Sequence, residues 1–380
     1  MRTLILVMSV MFFTGIAGAA PEIRGLRVDP SYFYGLYGGQ IYAGTIAEDL
    51  ISKAQAANVN TLFLYAYNPT NGAFYLTDYP QTAVEIGYGT QDIFRKIYDL
   101  ALTRGLKVVA VIPISDFKSI WERNPTWRSK IADGSDYRPF PHSYYLSAWH
   151  PDYRQWLRGY VRDLVSRFPE LYAVEAVEPT IDCFWLAESD YNPVANAEFF
   201  KRFPQGELGD ADWKKVRALG MTELLAIMSE TAHAQGVLSG VVQTWPAYAD
   251  GTLFTFDMVR DEVGYDLEGI LNLQGPQKMD FVIGEIMWQQ WAAEYGTPAF
   301  SPEWTRKAAH DFVTMIGDRS FPIMHVEISG WMGQHSTVYP TVEQFRRSIE
   351  VIKDISPGID VYDHSQIENL EAWSALLAWD

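Results

Sequence analysis

Eight short runs rich in β-branched and aromatic residues begin near Glu22, Thr61, Lys107, Leu171, Val237, Asp280, Pro322 and Ile359, and most are followed by a segment of helical period. They recur at roughly 40 residues, the length of one strand, one helix and two loops, except for intervals of roughly 65 residues after the third and fourth runs. Runs such as Val108-Val109-Ala110-Val111-Ile112 are apolar on both faces, which requires a parallel sheet covered on both sides. This alternation predicts an α/β chain closed into a single (β/α)8 TIM barrel, with long loops after strands 3 and 4. An open doubly wound sheet is the alternative. It lacks its phosphate-binding turn, because Gly87-Tyr88-Gly89 does not lie between a strand and a helix in the required pattern.

Boundary signals support the same reading. Pro151 suits a first helical position, and Tyr153, Trp156, Leu157, Tyr160, Val161, Leu164 and Val165 then follow the 3.6 period. Ser301-Pro302-Glu303 and Thr341-Val342-Glu343 open two later helices with capping residues and early negative charge. Gly105 and Gly236 stand just past the ends of two others. At the start, Arg2, the apolar run Leu4–Phe13 and the small residues from Gly15 to Ala20 read as an export signal over residues 1–19, followed by one domain over 20–380. The expected location is therefore secreted or periplasmic. Lys and Arg total 30 against 47 for Asp and Glu, and a net charge of −17 argues against nucleic acid or an anionic membrane as partner.

In this architecture reacting groups come from the C-terminal ends of the strands. The seventh run, Pro322-Ile323-Met324-His325-Val326-Glu327-Ile328, should send Met324, Val326 and Ile328 to the helices and Ile323, His325 and Glu327 into the barrel. An inward carboxylate at the mouth must be solvated or paired, so Glu327 serves either chemistry or an ion pair with Arg24 or Arg27. The fourth run ends Glu175-Ala176-Val177-Glu178-Pro179, with Asp182 beyond. Glu175 and Glu178 are three apart, so a regular strand cannot aim both inward. Glu178 is nearer the mouth and is the favoured reacting group with Glu175 as its support, although the reverse assignment stays open. Glu285, at the end of the sixth run, is placed to neighbour Glu327. Close like charges separate pKa values, and hydrolysis of a glycosidic bond needs one protonated and one ionised carboxyl.

Aromatics make up 14% of the chain, and many fall on expected loops at strand ends, among them Tyr65, Tyr67, Trp245, Trp288 and Trp331. Flat rings with polar tips stack on sugar faces, and a carbohydrate is the expected partner. No G-x-S-x-G elbow, His-Glu-x-x-His pair or Walker loop is present, and His142 and His150 lack a helical metal-ligand spacing. Neither a metal nor any other cofactor is expected.

Several segments together resemble one family. Glu22-Ile23-Arg24-Gly25-Leu26-Arg27-Val28-Asp29 resembles its first strand, Asn58 to Tyr65 with Ala73-Phe74-Tyr75 its second unit, and Gly105 to Pro113 its third strand. Tyr145 to Arg154 is similar to its approach to the fourth strand, and Asp280 to Trp288 to its sixth. The family is the family-10-like glycoside hydrolases, exported bacterial (β/α)8 proteins. A more distant resemblance links the chain to the hydrolase domains of bacterial exopolysaccharide-processing proteins. Where the family shows a His and an Asp after its fourth strand this chain has Glu175 and Glu178, and a sixth-strand Gln is replaced by Glu285. The fourth-strand and seventh-strand glutamates also resemble those of the large clan of retaining (β/α)8 glycosidases, which implies Glu178 as acid/base and Glu327 as nucleophile. The expectation is an exported glycosidase cleaving a polysaccharide or oligosaccharide. The alternative is a non-catalytic carbohydrate-binding barrel in an export or assembly complex.

Overall fold

The computed structural model describes residues 22–37, 42–88, 91–179, 189–286, 302–328 and 340–380. The eight runs form eight strands: β1 (Ile23–Val28), β2 (Thr61–Tyr65), β3 (Lys107–Pro113), β4 (Ala173–Val177), β5 (Leu238–Thr244), β6 (Phe281–Glu285), β7 (Phe321–Glu327) and β8 (Gly358–Tyr362). Each pairs in parallel with the next. β8 then returns to β1, with Ile23 opposite Gly358 and Leu26 opposite Val361, and closes the barrel. Closure leaves no barrel strand with an open edge, so the expected closed barrel forms rather than the open sheet.

Between consecutive strands run α1 (Ala43–Ala56), α2 (Ile93–Thr103), α3 (Pro151–Arg167), α4 (Ala211–His233), α5 (Pro302–Ile316) and α6 (Val342–Ile352), with shorter helical turns such as Leu267–Leu271 between β5 and β6. The local chemistry explains their limits. Pro151 occupies the first turn of α3, where a missing N–H costs nothing, and the seven periodic apolar residues named above are its buried face. Thr341 and Gln344 form a reciprocal capping box at the start of α6. Gly105 (φ +79°) and Gly236 (φ +77°) end α2 and α4 in the left-handed conformation that only glycine adopts freely. A two-stranded ribbon, Tyr67–Asn68 with Gly72–Ala73, follows β2. At the other end of the chain, Trp379 donates from Nε1 to the Ala57 carbonyl at 3.1 Å. Among the described residues, no helix is long and apolar enough to cross a membrane. Residues 1–19, read as an export signal, lie outside the described residues.

Two cores follow from strand alternation. Outward residues such as Met324, Val326 and Ile328 join the helices in the larger core, and inward residues such as Ile23, Val109, Ala173, Val242, Ile283 and Ile323 fill the barrel. At the centre Phe63 and Phe281 meet edge to face, with ring centroids 6.3 Å apart. Each ring displaces a neighbouring strand's side chain. A Cβ on Gly25 would lie 2.5 Å from Phe63, and one on Gly240 would lie 2.0 Å from Phe281. These two rings form an aromatic floor across the barrel, and the layer above it is polar.

Candidate active site

Immediately above the floor, β1, β4, β7 and β8 each contribute a buried charged side chain. Arg27 lies over the Phe63 ring with its guanidinium carbon 5.2 Å from the centroid. Its Nη1 donates to Glu175 Oε1 at 2.8 Å, and its Nε donates to Asp360 Oδ2. Asp360 also bonds His325 Nδ1 at 3.0 Å, and His325 Nε2 lies 3.2 Å from Glu327 Oε2 and 3.7 Å from Glu285 Oε1. Parallel register makes these contacts unavoidable, because His325 stands beside Asp360 on one side and beside Glu285 on the other. Arg27, Glu175, His325, Glu327, Glu285 and Asp360 are all buried.

Burial raises the cost of every charge in this layer, and the neighbours decide which are kept. Burial would lower the His325 pKa, but its bonds to Asp360 and Glu327 and the nearby charge of Glu285 raise it to about 10. Asp360, despite its burial, is held below the ordinary carboxylate range by Arg27 and His325. Burial pushes Glu175 up to about 7, with Asp360 adding to the rise and Arg27 opposing it. The donor atoms of Glu285, His325 and Glu327 lie within 4.8 Å of one another. His325, hydrogen-bonded on one side to Asp360 and on the other to Glu327, ties these three into a single buried polar cluster.

Glu178 sits one step higher, at the mouth, and is partly exposed. Its N–H still continues the ladder by donating to the Val242 carbonyl at 3.1 Å, while its φ of +37° breaks the strand's alternation. That left-handed backbone is uncommon for a residue with a side chain and is what allows Glu175 and Glu178, three apart, to serve the same side of the sheet. Thr244 Oγ1 lies 3.0 Å from Glu285 Oε2 and 3.5 Å from Glu178 Oε1. Glu178 and Glu327 are therefore linked across the mouth through Thr244, Glu285 and His325.

Tyr65 lies at the same rim, where the charges of Arg27, Asp29, Glu178 and Glu175 reach its hydroxyl. Two further tyrosines border it. Tyr32 is 43% exposed, and its hydroxyl lies 3.3 Å from that of Tyr362 at the end of β8. Asp29 stands nearby, pushed up to about 6 by burial against the bonds it accepts from Ser31.

The structure thus brings together Glu175, Glu178, Glu285, His325, Glu327 and Tyr65 from the expected set. It does not bring Tyr67 and Trp245 to the mouth. Tyr67 packs between Phe117 and Tyr160 with its hydroxyl 3.2 Å from that of Ser119. Trp245 is fully buried among Phe256, Tyr265 and Phe312, because Thr244 takes the inward position and the next residue must face the helices. Both are packing residues, and their expected sugar contact is corrected accordingly. Asp182, Trp288 and Trp331 lie outside the described residues. The alternative reading of Glu327, an ion pair with Arg24 or Arg27, is met by a different partner: Glu327 lies against His325, and Arg27 pairs with Glu175 and Asp360. Sequence reasoning did not single out Asp360, Thr244, Tyr32 or Tyr362. The inward parity of Asp360 between Ile359 and Val361 is the signal that could have found the first of these.

No protein-family model matches the chain, and no curated protein matches it. The family-10-like resemblance therefore has no family-model match behind it. Solved structures do match in fold. The PgaB (BpsB) glycoside hydrolase domain from Bordetella bronchiseptica is 16% identical, with a TM-score of 0.66 over 94% of this chain and 98% of that one. The endo-1,4-beta-mannanase of Rhizomucor miehei is 11% identical, with a TM-score of 0.56 over 96% and 97%. A beta-galactosidase from Marinomonas ef1 is 11% identical, with a TM-score of 0.63 over 89% of this chain and 53% of that one. At these identities the likeness is one of fold, and the barrel is shared with glycoside hydrolases.

Proposed function

We propose that this protein is an exported glycoside hydrolase that cleaves a polysaccharide or oligosaccharide with Glu178 and Glu327, by a retaining mechanism. One observation carries the reading: a buried glutamate 3.2 Å from a buried histidine and a partly exposed glutamate on a distorted strand end occupy one barrel mouth. The difference between the two environments, one buried beside His325 and one partly exposed beside Thr244, supports separate roles. Glu327, beside His325, is kept as the ionised group and attacks the anomeric carbon as the glycosidic bond breaks. Glu178, which faces solvent and has Thr244 as a hydroxyl neighbour, delivers its proton to the departing oxygen. In the second half, Glu178 takes a proton from water, and that water displaces Glu327 from the sugar. The tyrosine rim of Tyr32, Tyr65 and Tyr362 supplies faces and hydroxyls for a sugar ring. The structural neighbours named as glycoside hydrolases, beta-galactosidase and mannanase support the class, and the resemblance noted in the sequence points to a family-10-like member. The apolar segment at 1–19 supports export.

A panel of bacterial exopolysaccharides with detection of new reducing ends tests this reading. Wild-type protein should cleave at least one glycan, and Glu178→Gln and Glu327→Gln should each lose on the order of 10²–10⁴-fold in rate while still binding it. Glycan binding with no cleavage by any form would establish the carbohydrate-binding alternative instead.

A further inference from the structure

Between the two proposed reacting glutamates and the barrel floor lies a charged relay that the hydrolytic scheme does not itself require. His325 is 4% exposed and faces charge on every side. From β8 comes Asp360, from β7 Glu327, from β6 Glu285, from β4 the charge of Glu175, and Arg27 of β1 reaches it through Asp360. The Tyr362 ring lies 5.9 Å from the imidazole centroid. The two glutamates nearest Nε2 are not equivalent. Glu327 Oε2 is at 3.2 Å, and Glu285 Oε1 is at 3.7 Å with its other oxygen accepting from Thr244.

We propose that His325 is a positioning residue: anchored through Nδ1–H to Asp360, it donates from Nε2 to Glu327, fixing that carboxylate's orientation and making Glu327, not Glu285, the nucleophile. The proposal rests on the hydrolase reading above and adds to it a reason for the choice of acid. Asp360, tied to Arg27, is the anchor. With both ring nitrogens donating, the imidazole is a cation, a form that the surrounding carboxylates favour against the opposing effect of burial. The arrangement has a functional consequence. A neutral replacement leaves Glu327 and Glu285 as close buried like charges, so one of them takes up a proton and the ionised nucleophile is lost over part of the working pH range.

The test has two arms. In the first, which needs no substrate, nitrogen-15 NMR of the imidazoles is recorded from pH 6 to 10 on the full chain and on Glu327→Gln and Asp360→Asn. Wild-type His325 should show both ring nitrogens protonated at pH 8, and each variant should lose that proton at a lower pH. A neutral His325 ring at pH 8 in the wild type overturns the inference whatever the turnover. In the second, pH–rate profiles of wild type and His325→Gln are compared on the glycan that the panel identifies. The variant should lose roughly 10²-fold in kcat, and its acid limb should move upward by about one pH unit or more. A merely structural role would lower the active fraction without moving the limb, and an unmoved limb overturns the inference. If the ring is cationic but wild type cleaves no glycan, the hydrolase reading fails, and the nucleophile assignment falls with it.

Discussion

Replacing Arg27 by Met should expose how much of the barrel interior depends on one guanidinium. Arg27 is 1% exposed and pairs with Glu175 and Asp360, both fully buried. Met keeps the apolar stem and removes the guanidinium, with its charge and its hydrogen bonds to Glu175 and Asp360. Removing one partner of a buried ion pair costs about 3–5 kcal/mol; Glu175 loses its cation outright, whereas Asp360 keeps His325, which places the loss at the lower end of that range. Protonation sets a ceiling on that cost. A stranded carboxylate can take a proton, at about 1.4 kcal/mol for each pH unit above its unfolded pKa. For Asp360, whose ordinary value is 3.8, this ceiling at pH 5 is about 2 kcal/mol, whereas at pH 8 it exceeds the cost of the broken pair. Glu175 acts in the same sense. Its folded pKa of about 7 lies above its ordinary 4.5, so the folded state binds its proton more tightly and stability falls as pH rises through that window. Losing Arg27 moves the window's upper end higher and deepens the loss at pH 8. Urea unfolding at both pH values should therefore show a destabilisation at the lower end of about 3–5 kcal/mol at pH 8 and about 2 kcal/mol or less at pH 5. Equal losses at the two pH values, or a loss under about 1 kcal/mol at pH 8, would refute the reasoning.

Two further substitutions test the scaffold. Gly240→Ala places a methyl carbon against Phe281 inside the barrel, and thermal unfolding should report a loss of about 1–3 kcal/mol from overpacking. Thr341→Ala removes the capping box of α6 and should cost about 1 kcal/mol in the same assay, with Thr341→Asp retaining most of the stability.

What the sequence disclosed and what it withheld divide along a physical line. Strands announce themselves through local pattern, and the expected starting points at Thr61 and Lys107 coincide with those of β2 and β3. Helix ends are also local, as Pro151, Thr341, Gly105 and Gly236 show. Parity within a strand carried His325 and Glu327 to the interior, because one face of β7 must meet the helices. The charge network was hidden because its partners are remote: Arg27 and Asp360 are separated by 333 positions, and only barrel closure makes them neighbours. Trp245 was misplaced by reading aromatic content instead of parity, since inward Thr244 dictates an outward next residue. For Glu178 parity itself failed, because a left-handed backbone at that residue resets the alternation. Such a departure from regular geometry at a strand end is where a reactive group is expected to depart from pattern.

The claim on which the rest depends is that Glu327 forms a bond to the sugar while Glu178 manages the proton. An activated 2-deoxy-2-fluoro glycoside of the sugar that the panel identifies, incubated with the protein and followed by peptide mass spectrometry, addresses it directly. One sugar adduct per chain, located on the peptide at Glu327 and slow to leave in Glu178→Gln, is the predicted result. An adduct on Glu285, or continued turnover of the natural glycan by Glu327→Gln at the wild-type rate, would contradict it.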